Sequence, residues 1–194
     1  STVVAGVCLQ LHAITWAGFC TLHALTSDGQ CKTFDARADG YGRSEGCGAV
    51  LLEYHAASFE EIHGTSCNQD GRSASFMAPN GPSQVSVIRA ALALVRDTTM
   101  RVAEAHGTGT ALGDPIEVGA MYRVLGNAPS EQPLVVGAFK SQMAHSEGAA
   151  GMAGLMKLLG VLENRALPPN LHLTKANPKF DLEGFRLVVP SENL

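Results

Sequence analysis

Two histidines of this chain stand in the same local context. His106 lies in the stretch EAHGTGTALGDP (104–115), and His145 lies in KSQMAHSEGAAG (140–151). Each follows a short run of β-branched and small apolar residues and precedes a stretch typical of a helix. Two imidazoles at one site can both donate N–H groups to a single carbonyl oxygen, and a reaction that passes through an enolate needs such donors.

The surroundings of His145 favour the neutral form of its imidazole. A helix is predicted to begin at Ser146 or Glu147, and the positive end of a helix disfavours an imidazolium ion beside it. Lys140, if it lies close by, would lower the imidazole pKa further. Because one histidine alone is more often structural than catalytic, this hypothesis depends on the two histidines lying together.

A nucleotide site is the alternative interpretation of the first stretch. Gly107, Gly109 and Gly113 follow a predicted strand and precede a predicted helix, as in dinucleotide-binding loops. Asp114 is predicted to be the N-cap of that helix, and Glu117 adds a second negative charge near it. Both carboxylates would repel a phosphate at the helix N-terminus. We therefore expect no affinity for a nicotinamide cofactor.

The elements that must position these residues alternate between strand and helix from residue 81 onward, which predicts an α/β fold. A short helix or an irregular segment is expected at 12–22, and a long loop rich in Asp and Gly at 27–46. The first strand is expected to be buried, because all its residues are apolar or β-branched. Strands are predicted at 2–7, 47–54, 61–66, 101–105, 133–139 and 184–190, and helices at 81–95, 114–126 and 147–164.

Composition and charge exclude several classes of protein. The 194 residues are 45% hydrophobic and 16% charged, which is typical of a globular chain. The net charge is −4 and no basic stripe is present, so nucleic acid is not expected as a partner. The apolar stretch 148–162 is too short to cross a membrane and contains Lys157, so no membrane span is expected.

The cysteines predict neither a disulfide framework nor a metal site. Their number is odd and no C-x-x-C spacing occurs. Reduced thiols indicate a cytoplasmic protein, and the N-terminal residues do not resemble a signal peptide. We expect all of them to serve in structural packing. They stand at positions 8, 20, 31, 47 and 67.

Four stretches resemble, in the same order, motifs of the β-ketoacyl synthases, especially the ketosynthase domains of type I polyketide synthases. Together they span nearly the whole chain, which makes the resemblance specific. The third and fourth are similar to the motifs around the two catalytic histidines of that family. The stretches are ALTSDGQCKTFDARADGYGRSEGCGAVLLE (24–53), NQDGRSASFMAPNGPSQ (68–84), EAHGTGTALGDPIE (104–117) and KSQMAHSEGAAGMAGLMK (140–157).

The resemblance implies a thiolase-like fold in αβαβα layers and a decarboxylative Claisen condensation. The acyl chain is held as a thioester on a cysteine, and malonyl-type extenders arrive on the phosphopantetheine arm of an acyl carrier protein. By resemblance, His106 and His145 stabilise the enolate and assist decarboxylation, and Lys140 supports the second histidine. Thr108 and Thr110 match threonines that line the pantetheine channel. No bound cofactor and no metal are implied.

The resemblance also implies parts outside residues 1–194. The nucleophilic cysteine belongs to a TACSSS-type segment upstream of the match to 2–7, and a Gly-rich GFGGTN strand follows the match at the other end. The chain is therefore expected to be one partial ketosynthase domain, with 1–80 ending the N-terminal half and 81–194 forming the C-terminal half.

Such a partial domain is expected to need the remainder of the domain or a larger assembly, and to be a homodimer when intact. The alternative is a catalytically inactive remnant that serves as a structural or interaction subunit. Within the second histidine motif, Gln142, Met143 and Ala144 replace the Asn, aliphatic residue and Gly that the family prefers. The methyl group of Ala144 is expected to shift the His145 imidazole or to forbid a positive φ.

Overall fold

The computed structural model describes residues 1–54, 60–73, 78–95, 100–126, 133–180 and 186–194. A 3₁₀ turn at Glu147–Ala149 leads into the longest helix. In chain order the elements are β1 (Thr2–Cys8), α1 (Ala13–Thr21), β2 (Gly46–Leu52), α2 (Gly81–Leu92), β3 (Val102–Glu104), α3 (Gly113–Leu125), β4 (Leu134–Gly137), α4 (Lys140–Met143), α5 (Ala150–Asn164) and β5 (Leu187–Val188).

The strands form two sheets, and α5 contacts both. β1 and β2 pair antiparallel, with Gly6 opposite Gly48, whereas β3, β4 and β5 form a parallel sheet in that order. The two glycines let α5 approach the first sheet closely: a Cβ atom at Gly48 would lie 2.6 Å from Cγ of Met152. The chain therefore has a layered α/β architecture in which the helix that follows His145 lies against strands of both sheets.

The main core lies around the parallel sheet, and a residue of the long loop reaches into it. Phe34 is fully buried and packs with Val118 of α3 and Val136 of β4. Its ring also meets that of Phe180 edge-on, with centroids 6.0 Å apart. The Asp- and Gly-rich loop at 27–46 therefore contributes to the core of the domain, next to the sheet that carries the histidines.

The expectation that β1 is buried is wrong. Among the described residues β1 pairs only with β2, and α5 covers only one face of this two-stranded sheet. Val3 and Val7 on the other face are 68% and 60% exposed. Cys47, opposite Val7, is exposed for the same reason. Hydrophobicity predicts the strand itself, but the presence of a covering layer depends on other parts of the protein.

Several predicted boundaries also differ. Residues 61–66 form no strand, and α2 ends at Leu92 instead of continuing to residue 95. Within the predicted last strand, 184 and 185 lie outside the described residues, and only Leu187–Val188 pairs with β4. The segment at 12–22 is a helix. No described helix is long and apolar enough to cross a membrane.

Candidate active site

The ends of two neighbouring parallel strands bring the two histidines together. His106 lies just beyond β3, and His145 follows β4 after the short helix α4. Their ring centroids are 5.3 Å apart, and the ring planes are nearly perpendicular at 84°. Parallel strands end at one edge of their sheet, so neighbouring strands deliver both imidazoles to the same place. Both imidazoles therefore lie within reach of a single oxygen atom placed beside them.

Both imidazoles are neutral at pH 7. Burial is the larger cause and the Lys140 ammonium the second, and together they hold the pKa of each ring at about 4, below the usual 6.5. The pKa of His106 is lowered even though part of the residue is open to solvent, because most of the ring is surrounded by protein. The predicted influence of Lys140 is therefore present, but burial contributes more than the charge.

The tautomer of His145 is fixed by the backbone. The N–H of Glu147 donates to Nδ1 of His145 over 3.0 Å. Because a neutral ring has one acceptor and one donor nitrogen, the proton must lie on Nε2. The residue is also held at its own backbone: its N–H donates to the carbonyl of Gly42 (2.8 Å), and its carbonyl accepts from Ser44 (3.0 Å). His145 therefore presents an N–H donor in a fixed position.

An arginine that sequence reasoning missed holds the turn after His145. Arg43 donates to Glu147 through two bonds, 2.7 Å from Nε to Oε1 and 3.0 Å from Nη2 to Oε2. Its guanidinium also lies 5.0 Å from the ring centroids of Trp16 and Phe19. The planar group thus joins α1, the loop before β2 and the turn that fixes His145.

Carboxylates hold the loop around His106. Glu117 accepts the backbone N–H groups of His106 (2.6 Å) and Gly107 (2.9 Å). Asp114 accepts those of Gly109 (3.1 Å) and Phe34 (2.8 Å). Three N–H groups of the glycine-rich loop are therefore bound to carboxylates, and the N–H groups of Gly113 and Asp114 at the start of α3 are bound to Thr110. This occupancy removes the physical basis of the nucleotide interpretation.

The prediction that Asp114 is the N-cap of α3 is wrong. The helix begins at Gly113, with Leu112 at the N-cap position, and Asp114 lies inside the first turn. Its side chain points back to backbone groups outside the helix, and it is 1% exposed. Thr110 accepts the N–H of Gly113 instead, over 3.2 Å. Tertiary hydrogen bonds to buried N–H groups have thus outweighed local capping.

Lys140 lies among acidic groups in the interior. Its side chain is buried, which lowers its pKa, while Glu117 and Glu104 oppose this shift. Burial raises the pKa values of Asp114 and Glu117 in turn, and their hydrogen bonds to backbone N–H groups act against that change. The site therefore combines one buried ammonium, buried carboxylates and two neutral imidazoles.

Comparisons with known proteins show which family the chain belongs to. Residues 59–174 match the family model described as beta-ketoacyl synthase, C-terminal domain, and residues 1–57 match the corresponding N-terminal domain. The chain belongs to the β-ketoacyl synthase family. It is 41% identical, over 96% of its length, to a phenolphthiocerol/phthiocerol polyketide synthase of Mycobacterium tuberculosis. It is 40% identical, over 99% of its length, to erythronolide synthase EryA2 of Saccharopolyspora erythraea.

Solved ketosynthases share its fold. A ketosynthase from module 6 of the bacillaene synthase of Bacillus subtilis 168 superposes with a TM-score of 0.89 at 33% identity. An oxazolomycin ketosynthase domain from Streptomyces albus JA3453 gives 0.91 at 32%. Each match covers 99% of this chain and 36% of the other. The ketosynthase chain thus has the thiolase-like fold, and it spans 10% and 6% of the two curated relatives.

The two threonines of the first motif serve the structure of its loop. Thr108 is buried, and its hydroxyl lies 3.3 Å from that of Thr110, which accepts the N–H of Gly113 at the start of α3. Gly107 and Gly109, on either side of Thr108, have φ values of 46° and 78°. This left-handed backbone turns the chain sharply between His106 and α3. Contact of the threonines with a pantetheine arm stays a prediction.

The expectation that Ala144 forbids a positive φ is wrong. Its φ is 60° and its ψ is −169°, a conformation almost confined to glycine. The surrounding bonds enforce it, since Ala144 donates to the carbonyl of Lys140 and the next N–H donates to that of Gly42. Gln142, the other departure from the family pattern, donates to the carbonyl of Pro169 over 2.6 Å.

Asn170 is a second residue that sequence reasoning missed. It is 2% exposed, and its Oδ1 accepts the N–H of Ala138 over 2.8 Å. Its Nδ2 donates to the carbonyls of Val136 and Pro190. One amide thus satisfies the backbone at the end of β4 and ties it to the segment after β5. Its only signal in the sequence is its place in the turn LPPNLH (167–172).

The cysteines only partly serve in packing. Cys31 is fully buried and accepts the N–H of Gly42 over 3.3 Å, and burial raises the pKa of its thiol. Cys20, Cys47 and Cys67 are exposed, so the expectation that all five pack inside is wrong. The described residues contain no group of three or more His, Cys, Asp or Glu residues that could hold a metal ion.

Proposed function

We propose that this chain supplies the histidine pair of a polyketide-type β-ketoacyl synthase that catalyses decarboxylative Claisen condensation. The observation that carries the proposal is the pair of neutral imidazoles 5.3 Å apart, with the Nε2–H of His145 available as a donor. Donors preorganised around a developing oxyanion lower the barrier, since they need no reorganisation during the reaction. An imidazolium is not required, because neutral N–H groups suffice.

The proposed reaction has two bond changes at the extender unit. The bond between the α-carbon and the carboxylate breaks, CO₂ leaves, and the electron pair becomes the enolate of the thioester. His106 and His145 donate hydrogen bonds to the enolate oxygen. The α-carbon then attacks the carbonyl carbon of the enzyme-bound acyl thioester, and the cysteine thiolate leaves as the new C–C bond forms.

Lys140 supports this step electrostatically. Its ammonium is buried near the pair and lowers the pKa of both imidazoles. A positive charge beside an enolate also stabilises the negative charge that develops when CO₂ leaves. We therefore propose that Lys140 acts as a positive charge beside the histidines and takes part in no proton transfer.

The nucleophilic thiol is proposed to come from a segment outside residues 1–194. The buried Cys31 thiol has a raised pKa, which disfavours the reactive thiolate. The thiol of the half-buried Cys8 donates to the Glu147 carboxylate over 4.0 Å and is thus already engaged. The proposed partners are the rest of the ketosynthase domain, a second copy of it, and an acyl carrier protein whose phosphopantetheine arm passes Thr108 and Thr110.

Release of CO₂ tests the proposal. The natural protein that carries residues 1–194 is incubated with a malonyl-charged carrier protein, and CO₂ release is compared with that of the His106→Ala and His145→Ala variants. We expect each alanine variant to lose activity by about 10²–10³-fold, the usual effect of removing one oxyanion donor. His63→Ala is the matched control, since that side chain is 65% exposed.

Two results would contradict the proposal. One is equal CO₂ release by the histidine variants and the unsubstituted protein. The other is no CO₂ release by the unsubstituted protein with its native carrier, which would favour the alternative of a structural or interaction subunit. Binding of the carrier protein without turnover would indicate an interaction subunit, and no binding would indicate a chain with no role at this site.

A further inference from the structure

One buried ion pair outside the two histidine loops is connected to both of them. Glu104 is the last residue of β3 and lies two residues before His106, while Lys157 lies on α5. Lys157 Nζ is 2.9 Å from Glu104 Oε2, and the two side chains are 6% and 7% exposed. The other oxygen of Glu104 accepts the backbone N–H of Phe139, which immediately precedes Lys140. One carboxylate therefore joins the end of β3 to two other segments, the one that leads to His145 and the helix α5 that follows it.

Two glycines make the space that this ion pair occupies. Gly137 is the partner of Glu104 in the pairing of β3 with β4, and a Cβ atom there would lie 2.8 Å from Lys157 Nζ. Gly154 lies one turn before Lys157 on α5, and a Cβ atom there would lie 3.2 Å from Cγ of Glu104. The backbone on both sides is thus shaped around the two charged side chains.

Each charge depends on the other. Among the described residues, neither Glu104 Oε2 nor Lys157 Nζ has a hydrogen-bond partner beyond this ion pair. A buried charge that loses its counter-ion is strongly destabilising, although a whole buried pair is often no better than neutral residues of the same shape. Stability alone is therefore a weak reason for the pair, and its connections to the histidine loops point to a different role.

We propose that Glu104 and Lys157 are positioning residues that hold His106 and His145 at their separation. Glu104 sets the end of β3 and hence the start of the His106 loop, and through Phe139 it sets the start of α4. Lys157 ties the same carboxylate to α5, which begins shortly after His145. The proposal rests on the proposed function, since the separation matters only if both rings serve one oxygen.

The carboxylate of Glu104 also acts on Lys140. Burial lowers the pKa of Lys140, and Glu117 and Glu104 raise it again. Removal of the Glu104 charge should therefore allow Lys140 to lose its proton at a lower pH. The other groups that interact with Lys140 are Glu117 and Asp114 of α3, Cys31 of the loop before β2, and the two histidines. All of these residues are still present in a Glu104 variant.

The test uses the natural protein that carries the chain, with CO₂ release from a malonyl-charged carrier as the assay. In Glu104→Gln the amide oxygen can still accept from Phe139, but the ion pair is lost. We expect kcat to fall about 10- to 100-fold at unchanged KM, the effect of a small misplacement of catalytic groups. The alkaline limb of kcat against pH should move to lower pH. Glu163→Gln, an exposed residue of α5, is the matched control.

A double variant separates position from stability. The double variant Glu104→Gln/Lys157→Met leaves no buried charge without a partner, whereas Lys157→Met leaves the Glu104 carboxylate unpaired. The melting temperature of the double variant should therefore be higher than that of Lys157→Met and closer to that of the unsubstituted protein. Its kcat should stay low. A double variant with full kcat and an unchanged alkaline limb would show that the pair is only structural, and would overturn the proposal.

Gly137→Ala keeps the test decisive if the charge variants fail to fold. Its methyl group displaces the flexible end of Lys157 and removes no charge, so the fold should persist while kcat falls at unchanged KM. Full kcat in folded Gly137→Ala would contradict the inference. If the unsubstituted protein releases no CO₂, the proposed function fails; if it does and the variants match it, only the positioning role fails.

Discussion

The two histidine loops are held by opposite means. In the His106 loop three backbone N–H groups point at carboxylates: Glu117 accepts those of His106 and Gly107, and Asp114 accepts that of Gly109 as well as that of the distant Phe34. Around His145 the backbone is held by other backbone groups, those of Gly42 and Ser44. There the nearby carboxylate, Glu147, is bound by an arginine instead of by the loop.

This difference separates two ways of presenting an imidazole. The His106 loop relies on buried negative charge, and the backbone of that loop would be left unsatisfied without it. The His145 loop is held by its backbone conformation, including the positive φ of Ala144. This conformation lets the N–H of Glu147 bind Nδ1 of His145, which fixes the tautomer of the ring. Loss of a side chain should therefore damage the first loop more than the second.

The largest expected effect is on the His106 side. In Glu117→Gln the amide can accept only one of the N–H groups of His106 and Gly107, and its NH₂ group faces the other. We expect a loss of about 2–3 kcal/mol in the free energy of unfolding, the cost of an unsatisfied buried polar group. Urea denaturation measures this loss, with exposed Glu163→Gln as the control. A change equal to that of the control would show that the loop does not depend on this carboxylate.

The matching change on the His145 side should cost less. Arg43→Met keeps apolar contact with Trp16 and Phe19 but removes both bonds to Glu147, whose side chain is 28% exposed. Water can replace part of the lost interaction, so we expect about 1–2 kcal/mol. The ¹⁵N shifts of His145 should show a second tautomer as the turn loosens. Arg123→Met, an exposed change on α3, is the control.

Equal losses for Glu117→Gln and Arg43→Met would break the comparison, since both loops would then depend equally on charged side chains. A single His145 tautomer in Arg43→Met would show that the Glu147 N–H holds the ring without the arginine.

A low pH should lower both the stability and the activity of the protein by protonating the two histidines over the same pH range. Each imidazole has a pKa of about 4 in the folded chain and 6.5 as its ordinary value. Between these values the unfolded state binds more protons, so stability falls as the pH decreases from 6.5 towards 4. CO₂ release by the natural protein should fall below about pH 4, where imidazolium forms. Histidine titration by NMR checks this; a midpoint near 6.5 for either ring would contradict it.

The sequence predicts the parts of this site that repeat or have local periodicity. The strand–histidine–helix order occurs twice, and α3 and α5 have recognisable helical patterns, so the meeting of His106 with His145 follows from strands that end at one edge. The family motifs predict the same residues. These features depend on neighbours within a few positions of each other.

The groups that hold the site depend on distant neighbours, and the sequence does not predict them. Asp114 accepts from Phe34, 80 positions away, and Arg43 binds Glu147, 104 positions away. Local rules place an aspartate before a helix at the N-cap, and here the tertiary bonds prevailed. The burial of β1 failed for a related reason, because hydrophobicity does not say which layer covers a strand.

The smallest expected effect tests the conformational side of the comparison. In Ala144→Gly the backbone at φ 60° and ψ −169° loses its steric strain. The strain is worth about 1–3 kcal/mol, and glycine returns about 0.5–1 kcal/mol of it as entropy of the unfolded chain. We therefore expect a net gain of about 1 kcal/mol in the free energy of unfolding, measured by urea denaturation.

Ala150→Gly in the first turn of α5, at an ordinary helical φ of −63°, is the matched control and should lose about 1 kcal/mol. A loss of the same size in Ala144→Gly would mean that the residue is not strained. A gain in stability with a lower kcat would sharpen the comparison. The alanine would then restrict the backbone just before His145, and the conformation that costs stability would be the one that directs Nε2–H towards the enolate oxygen.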